Sequence, residues 1–220
     1  MERRTPVIKI CGLKRKEDVN LCCDLGVDIL GFVTEYPSPV PWNLTREEAR
    51  ALLADIPKSC KSCVVTGGTE REIIELAKEL KPDYVQLHDR ETAAQTAAIA
   101  DALGEFGIGV IKAVFPDMRD LDNELETLQK TGVFALLADP RTPSDAVRGG
   151  RADIAFYRRV CDLSEKPVIL AGGITPDNVA GLMQETGAAY IDVMSGVEHM
   201  PGTKDASKVK ALLRAVRNSR

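Results

Sequence analysis

The stretch VIKICG, residues 7–12, is the most informative part of the chain. Its β-branched, apolar residues predict a buried strand that ends at Cys11 and is followed by a glycine. A second apolar run lies in the stretch FALLADP at 134–140. It ends in the same way at Asp139, and Pro140 follows. If both runs are parallel strands, Cys11 and Asp139 stand at carboxyl-terminal strand ends, where barrel enzymes carry their reactive groups.

Short strand patterns alternate with helical patterns along the chain. The predicted strands are 7–11, 29–33, 62–66, 84–87, 109–114, 134–138, 168–171 and 190–193. The predicted helices are 16–25, 45–54, 69–80, 91–103, 118–130, 152–161, 176–185 and 205–217. This alternation indicates parallel strands with right-handed crossovers, and eight units in 220 residues predict a single (β/α)8 TIM barrel, one α/β domain over residues 1–220. A doubly wound open sheet shares the alternation and ranks second, because it rarely needs eight consecutive parallel strands in so short a chain.

Several helix ends are marked in the sequence. Thr45 and Thr69 each precede an acidic residue by three positions, which predicts capping boxes. The dipeptide TP at 175–176 predicts a cap followed by proline at the first helical position. Gly26 and Gly104 are predicted to close their helices at the carboxyl-terminal end.

Composition excludes several classes of protein. The net charge of −4 gives no basic footprint for nucleic acid. No apolar run approaches the roughly 18 residues of a membrane span, so no membrane partner is expected. The first residues lead directly into a strand without the apolar region of a signal peptide. These features predict a cytoplasmic protein.

Six cysteines are present, and in a chain without an export signal they are expected to be reduced. Cys60 and Cys63 have the spacing of half a zinc site or of a redox motif. A second CxxC is missing and the chain has only two histidines, so the favoured interpretation is two strand residues on one face. Cys22 and Cys23 fall in a helical stretch and are expected to pack. No metal is expected.

Two glycine-containing turns follow the last two predicted strands. Gly172 and Gly173 come after strand seven, and Ser195 and Gly196 after strand eight. Loops at these two positions are the common phosphate site of this fold, since small residues let backbone N–H groups approach an anion. A nearby helix N-terminus would add a favourable dipole. The alternative is that the glycines only make tight turns.

Motifs spread over nearly the whole chain make a resemblance specific. They are KICG at 9–12, GFV at 31–33, VQLH at 85–88, LAD at 137–139, AGGITPDNV at 171–179, SGVE at 195–198 and PGTKD at 201–205. In this order they resemble the phosphoribosylanthranilate isomerase family of tryptophan biosynthesis. The resemblance implies an Amadori rearrangement of the aminoaldose N-(5'-phosphoribosyl)anthranilate to 1-(2-carboxyphenylamino)-1-deoxyribulose 5-phosphate. It implies Asp139 as general acid, Cys11 as general base, a small phosphosugar as partner, and no cofactor.

The assigned roles make physical demands on the site. A thiolate at Cys11 needs a positive neighbour, and Lys9 lies on the same face of the strand. Lys9 can equally pair with an interior carboxylate. A carboxyl group at Asp139 that donates a proton near neutral pH must be shielded from water or face a like charge. Asp192 is expected to face inward, with an electrostatic role or a role in holding loop backbone, and His88 to line or order the site.

The chain departs from the family in the loop after strand two. That loop usually carries an arginine facing the anthranilate carboxylate, yet residues 34–44 contain neither arginine nor lysine. Arg46, in the next helix, is the nearest arginine, and Arg141, after strand six, is the other candidate replacement. Trp42 has two interpretations, stacking on an aromatic substrate ring or covering the barrel rim.

Two more departures affect the expected anion contacts. The loop after strand six reads GGRADIAFY at 149–157, which keeps Gly150 as a phosphate candidate but places Arg151 and Asp153 where the family has a hydroxyl residue and a lysine. Arg148 or Arg151 can bind an anion instead, while Asp153 can cap the next helix. Met194 replaces a serine. These changes leave two alternative functions open, an isomerase of a different phosphorylated aminosugar and a non-catalytic phosphate-ligand-binding barrel. The oligomeric state is predicted as monomer or homodimer.

Overall fold

A computed structural model describes residues 6–140 and 151–219, and its first eight strands close into a parallel barrel in sequence order. The strands are β1 Val7–Ile10, β2 Ile29–Val33, β3 Lys61–Thr66, β4 Tyr84–Leu87, β5 Gly109–Val114, β6 Ala135–Ala138, β7 Val168–Leu170 and β8 Tyr190–Val193. Every adjacent pair is parallel, and β1 pairs with β8 to close the ring. The predicted (β/α)8 TIM barrel is confirmed.

Helices separate the strands. They are α1 Lys16–Asp24, α2 Arg46–Leu53, α3 Glu70–Leu80, α4 Ala93–Gly104, α5 Leu121–Gln129, α6 Ile154–Asp162, α7 Val179–Thr186 and α8 Ala206–Asn218. A 3-10 turn, Ser195–Val197, and a hairpin of β9 Glu198–Met200 and β10 Thr203–Lys204 stand between β8 and α8, and the sequence did not predict them. Within 6–140 and 151–219, no helix is long and apolar enough to cross a membrane.

The predicted helix ends are mostly right. Thr45 and Thr69 form complete capping boxes, and Gly26 closes α1 with a φ of 75°. The start predicted at 175–176 is wrong, because α7 begins three residues later with Asn178 at its N-cap. The Asn178 amide accepts from the backbone N–H of residue 175 at 2.8 Å and donates to the carbonyl of residue 173 at 2.8 Å, which holds this segment as a turn.

Strand alternation divides the core into two layers. One layer lies between the strands and the helices, and the other fills the barrel interior. Cys60 belongs to the outer layer and Cys63 to the interior, so the prediction that both lie on one face is wrong. Residues three apart in extended chain point to opposite sides, which separates the two thiols.

The interior is narrow where β1 meets β2. A Cβ atom added at Gly31 would lie 2.8 Å from the Sγ atom of Cys11 and 3.0 Å from its Cα atom. Real Cβ atoms do not approach other atoms so closely, so glycine at this position makes room for the Cys11 side chain. The β2 strand therefore helps to determine where the thiol stands.

We expect Gly31→Ala to lower the free energy of unfolding by about 1–3 kcal/mol, as overpacking of a close-packed interior does. Denaturant unfolding measures this change. Gly181→Ala in the exposed part of α7 is the matched control: its Cβ atom meets nothing within 4 Å, and alanine should stabilise the helix by up to about 1 kcal/mol. Equal stability of Gly31→Ala and the wild-type protein would contradict the crowding at β1 and β2.

Candidate active site

Cys11 follows β1 at the carboxyl-terminal end of the barrel. Its side chain is buried, and its backbone N–H donates to the carbonyl of Val193 at 2.9 Å. Lys9 lies two residues earlier on the same inward face and is 1% exposed. The Lys9 Nζ atom donates to the Oδ2 atom of Asp192 at 2.9 Å. The thiol therefore stands beside a buried ion pair that joins β1 to β8.

The charges around Cys11 act on its proton in opposite directions. Burial raises the pKa of the Cys11 thiol, whereas the positive charges of Lys9 and Lys204 lower it and the negative charge of Asp192 raises it. Burial would also lower the pKa of Lys9, but Asp192, Cys11 and Cys63 outweigh that effect and hold it above its ordinary value. Lys9 thus remains a cation, and it fits both predicted roles, since it pairs with Asp192 and favours the Cys11 thiolate.

Asp192 faces the interior, as predicted, and pairs with Lys9 rather than with loop backbone. Its Oδ1 atom is buried and has no hydrogen-bond partner within the described part of the chain. A buried carboxylate oxygen without a donor is costly. This oxygen is therefore suited to accept a hydrogen bond from a hydroxyl group of a ligand.

Asp139 follows β6 and is buried, with its backbone N–H donating to the carbonyl of Val114 at 3.2 Å. His88 follows β4, and its Nε2 atom lies 3.5 Å from the Oδ2 atom of Asp139. The imidazole stands edge-on to the ring of Phe115 at 5.4 Å. The hydroxyl of Tyr36 donates to the backbone carbonyl of His88 at 2.9 Å. The structure thus brings His88 and Asp139 together.

The two predicted phosphate turns lie against each other. A Cβ atom at Gly196 would lie 1.8 Å from the carbonyl oxygen of Ile174, so the backbone after β8 touches the backbone after β7. Gly172 has a φ of 86°, and a Cβ atom there would lie 3.2 Å from the Oδ1 atom of Asp139. Gly173 also has a positive φ, and Ser195 opens the 3-10 turn. Gly150, the remaining phosphate candidate, lies outside the described residues.

Trp42 is a rim residue. It is 2% exposed, and its Nε1 atom donates to the Oε1 atom of Glu198 at 2.8 Å. The Nζ atom of Lys204 donates to the same oxygen at 2.8 Å and to the carbonyl of Met194 at 3.3 Å. The loop after β2 is therefore tied to the turn after β8. Sequence reasoning missed this network, although Glu198 stands in the SGVE motif and Lys204 in the PGTKD motif.

Arg46, the suggested replacement for a loop arginine, points elsewhere. Its guanidinium group pairs with Glu35 and Glu79 at the surface, at 2.8 and 2.6 Å. Lys14, from the loop after β1, instead reaches into the loop after β2, where its Nζ atom donates to the carbonyl of Pro41 at 3.0 Å. Among the described residues, this carbonyl is the only hydrogen-bond acceptor for the Lys14 ammonium.

The sequence singled out three more residues in or next to the loop after β6, namely Arg148, Arg151 and Asp153. Asp153 caps α6, its Oδ1 atom accepting from the backbone N–H of Phe156 at 2.9 Å, so its predicted capping role is confirmed. Arg151 is exposed, whereas Arg141 and Arg148 lie outside the described residues. No group of three or more histidine, cysteine or acidic side chains within the described ranges could hold a metal ion.

Comparison with known proteins agrees with this geometry. The family model described as N-(5'phosphoribosyl)anthranilate (PRA) isomerase matches residues 8–215. The N-(5'-phosphoribosyl)anthranilate isomerase of Rhodopseudomonas palustris strain BisB5 is 34% identical, over 97% of this chain and 96% of its own.

Solved structures agree as well. The crystal structure of phosphoribosyl anthranilate isomerase from Thermus thermophilus superposes with a TM-score of 0.80 at 30% identity, over 97% of this chain and 100% of that chain. Another crystal structure of the enzyme, in complex with reduced 1-(o-carboxyphenylamino)-1-deoxyribulose 5-phosphate, gives a TM-score of 0.79 at 25% identity, over 96% of this chain and 98% of that chain. With its barrel, its paired turns and this full-length similarity, the chain belongs to the N-(5'-phosphoribosyl)anthranilate isomerase family.

Proposed function

We propose that this chain converts N-(5'-phosphoribosyl)anthranilate into 1-(o-carboxyphenylamino)-1-deoxyribulose 5-phosphate. The proposal rests mainly on one observation: Cys11 and Asp139 stand buried at strand ends of one barrel mouth, beside two touching glycine turns. Family membership supports the same reaction. A buried thiol and a buried carboxyl group on opposite sides of a sugar supply the base and the acid that an aldose-to-ketose rearrangement needs.

The first step is ring opening, in which Asp139 is the general acid. Its carboxyl group protonates the furanose ring oxygen as the bond from that oxygen to C1' breaks. The lone pair of the substrate nitrogen moves into the C1'–N bond and forms a protonated Schiff base. His88 lies 3.5 Å from the carboxyl group and orients it toward the substrate.

The second step is removal of the C2' proton by the Cys11 thiolate. The electrons of the C–H bond form a double bond between C1' and C2' and neutralise the iminium nitrogen. The resulting enolamine takes a proton at C1' and releases the proton of its C2' hydroxyl group, which gives the ketone, so the overall reaction is an isomerisation. Lys9 favours the thiolate by its charge, and the Oδ1 atom of Asp192, which has no partner among the described residues, accepts a hydrogen bond from a sugar hydroxyl.

Phosphate binding is assigned to the turns after β7 and β8, at Gly172, Gly173, Ser195 and Gly196. The close backbone contact at Gly196 leaves no room for a side chain there, so the backbone N–H groups of the two turns are the donors proposed for the anion. Met194 lacks the hydroxyl group of the serine that the family has at this position. This change does not remove a backbone amide, so binding of phosphate by backbone amides is still possible. Gly150 belongs to the proposed phosphate site on sequence grounds alone.

The substrate carboxylate needs a cation, and Lys14 is the proposed one. It is half-buried, and among the described residues its ammonium group bonds only a neutral carbonyl of the arginine-free loop and pairs with no carboxylate. Arg46 is already paired twice. A charge-assisted hydrogen bond from Lys14 would favour a carboxyl-bearing aglycone over a neutral one.

The absent loop arginine is the observation behind the second candidate, an isomerase of a different phosphorylated aminosugar. Lys14 decides between the two, because only a carboxylated substrate gains from it. One domain over residues 1–220, a cytoplasmic location and a monomeric or homodimeric state stay predictions from the sequence.

Cys11→Ser and Asp139→Asn should each lower turnover at least about a hundredfold, as loss of a general base or acid does. The fluorescence decay of freshly made N-(5'-phosphoribosyl)anthranilate measures turnover. Asp117→Asn, at an exposed pair with Arg90, is a control that should keep the wild-type rate. Near-normal turnover of either active-site variant would remove that residue from the mechanism, and no decay with the wild-type protein would reject the proposed reaction.

Inorganic phosphate should slow amide hydrogen exchange at Gly172–Ile174 and at Ser195–Gly196. The physical reason is that bound anion occupies the N–H groups that otherwise exchange with water. The hairpin residues 199–201, which follow the second turn, serve as an internal control and should exchange at an unchanged rate. Identical exchange with and without phosphate at both turns would argue against the assigned site.

Lys14→Ala should raise the KM about tenfold or more with little change in kcat, because a charge-assisted hydrogen bond contributes about 1.5–3 kcal/mol. Arg46→Ala removes an equal charge from the next helix and should leave KM unchanged. Calorimetry with two reduced product analogues, with and without the carboxylate, supplies the direct comparison. If Lys14→Ala weakens both analogues equally, Lys14 does not bind the carboxylate.

A further inference from the structure

Lys112 is a buried lysine that the mechanism above does not use. It lies in β5, between residues 110 and 114 of the outer core, so its side chain leaves the barrel interior and enters the layer under the helices. It is 1% exposed. A charged group in this layer is rare unless it is paired, and the identity of its partners therefore matters.

Both hydrogen-bond partners of Lys112 in the described part of the chain belong to the loop after β4. Its Nζ atom donates to the carboxylate of Glu91 and, at 2.9 Å, to the backbone carbonyl of Asp89. The Oε2 atom of Glu91 also accepts from the backbone N–H of Asp89 at 3.2 Å. Lys112 and Glu91 together hold both polar backbone groups of Asp89, and this fixes residues 89–91 against β5.

The Lys112–Glu91 pair is a poor means of stabilising the fold. Both side chains are almost fully removed from water, 1% and 3% exposed, and the Oε1 atom of Glu91 has no hydrogen-bond partner in the described residues. Desolvation of two charges often exceeds their attraction, so apolar residues of similar size are frequently as stable or more stable. Burial lowers the pKa of Lys112, and the negative charge of Glu91, which raises it, does not fully compensate. The lowered pKa reflects the free-energy cost of removing the ammonium group from water.

The fixed loop begins directly after His88. Two hydrogen bonds hold the backbone of His88. Its N–H donates to the carbonyl of Thr66 at 3.1 Å, and its carbonyl accepts from the hydroxyl of Tyr36 at 2.9 Å. Its ring reaches Asp139 only at 3.5 Å. This distance is at the outer limit for a hydrogen bond, so a small rotation of residues 88–89 would separate the imidazole from the carboxyl group.

We propose that Lys112 and Glu91 are positioning residues, which hold the loop after β4 from outside the barrel and thereby keep His88 against Asp139. They touch neither substrate nor reacting atoms. This inference rests on the proposed function in one respect only, the catalytic readout. The placement of His88 can be measured without substrate.

The double variant Lys112→Met with Glu91→Leu tests the proposal. Apolar side chains of similar length should keep the melting temperature at or above that of the wild-type protein. We expect kcat to fall at least tenfold with KM changed less than threefold, because the acid is misplaced while the phosphate turns are intact. Asp117→Asn, in the neighbouring loop after β5, is the control: it breaks only the exposed pair with Arg90 of the loop after β4, and it should leave kcat and KM unchanged.

The histidine ring signals in nuclear magnetic resonance give a readout that does not need catalysis. The chain has two histidines, His88 and the exposed His199 on the hairpin. The ring signals of His88 should shift in the double variant while those of His199 stay in place. Unchanged His88 signals and unchanged kcat in a folded double variant would overturn the proposal.

Two further variants keep the test decisive. Should the double variant fail to fold, Glu91→Ala replaces it, because Lys112 can then lose its proton, and the same kcat loss and His88 shift are expected. Glu91→Gln preserves the acceptor for Asp89 and should restore most of kcat. If the wild-type protein does not isomerise the substrate, the proposed function fails, while the His88 signals still decide whether Lys112 and Glu91 position this residue.

Discussion

The ion pair between Lys9 and Asp192 is the constraint on which the catalytic end depends. The two residues face each other in the register of β1 and β8, so the pair lies across the seam that closes the barrel. Cys11 is the next inward-facing residue after Lys9, and Asp192 keeps that lysine charged beside the thiol. Closure of the fold and the electrostatics of the proposed base therefore rest on one contact.

Much of this arrangement could be predicted from the sequence, because the information is local. Apolar runs that end at Cys11 and Asp139 are strands, and strand parity places Lys9 inward. The predictions failed where a side chain acts at a distance or replaces a standard pattern. The hydrogen bonds of the Asn178 side chain hold residues 173–175 as a turn, so α7 begins later than the threonine–proline pair predicts. The hydrogen bond from Trp42 to Glu198 joins residues that are 156 positions apart in the sequence. No periodicity encodes such pairs.

Three buried lysine–carboxylate pairs among the described residues surround the catalytic end. Lys9 with Asp192 lies inside the barrel, Lys112 with Glu91 lies outside it, and Lys204 with Glu198 lies at the rim. Each connects elements that carry a proposed functional group: β1 and β8, the loop after β4, and the turn after β8. Surface ion pairs contribute little to stability, and buried ones often cost it. Their common location favours a role in geometry.

The two unpartnered carboxylate oxygens distinguish these pairs. The spare oxygen of Glu91 is sealed under the helices, so its desolvation cost is permanent and is offset only by the order that the pair imposes on residues 89–91. The spare oxygen of Asp192 belongs to the ion pair inside the barrel, and in the proposed reaction a sugar hydroxyl would donate a hydrogen bond to it. Its desolvation cost would then be relieved by the bound substrate. A polar interior group left unsatisfied in the free protein thus contributes to binding, because the ligand restores a hydrogen bond that folding leaves open.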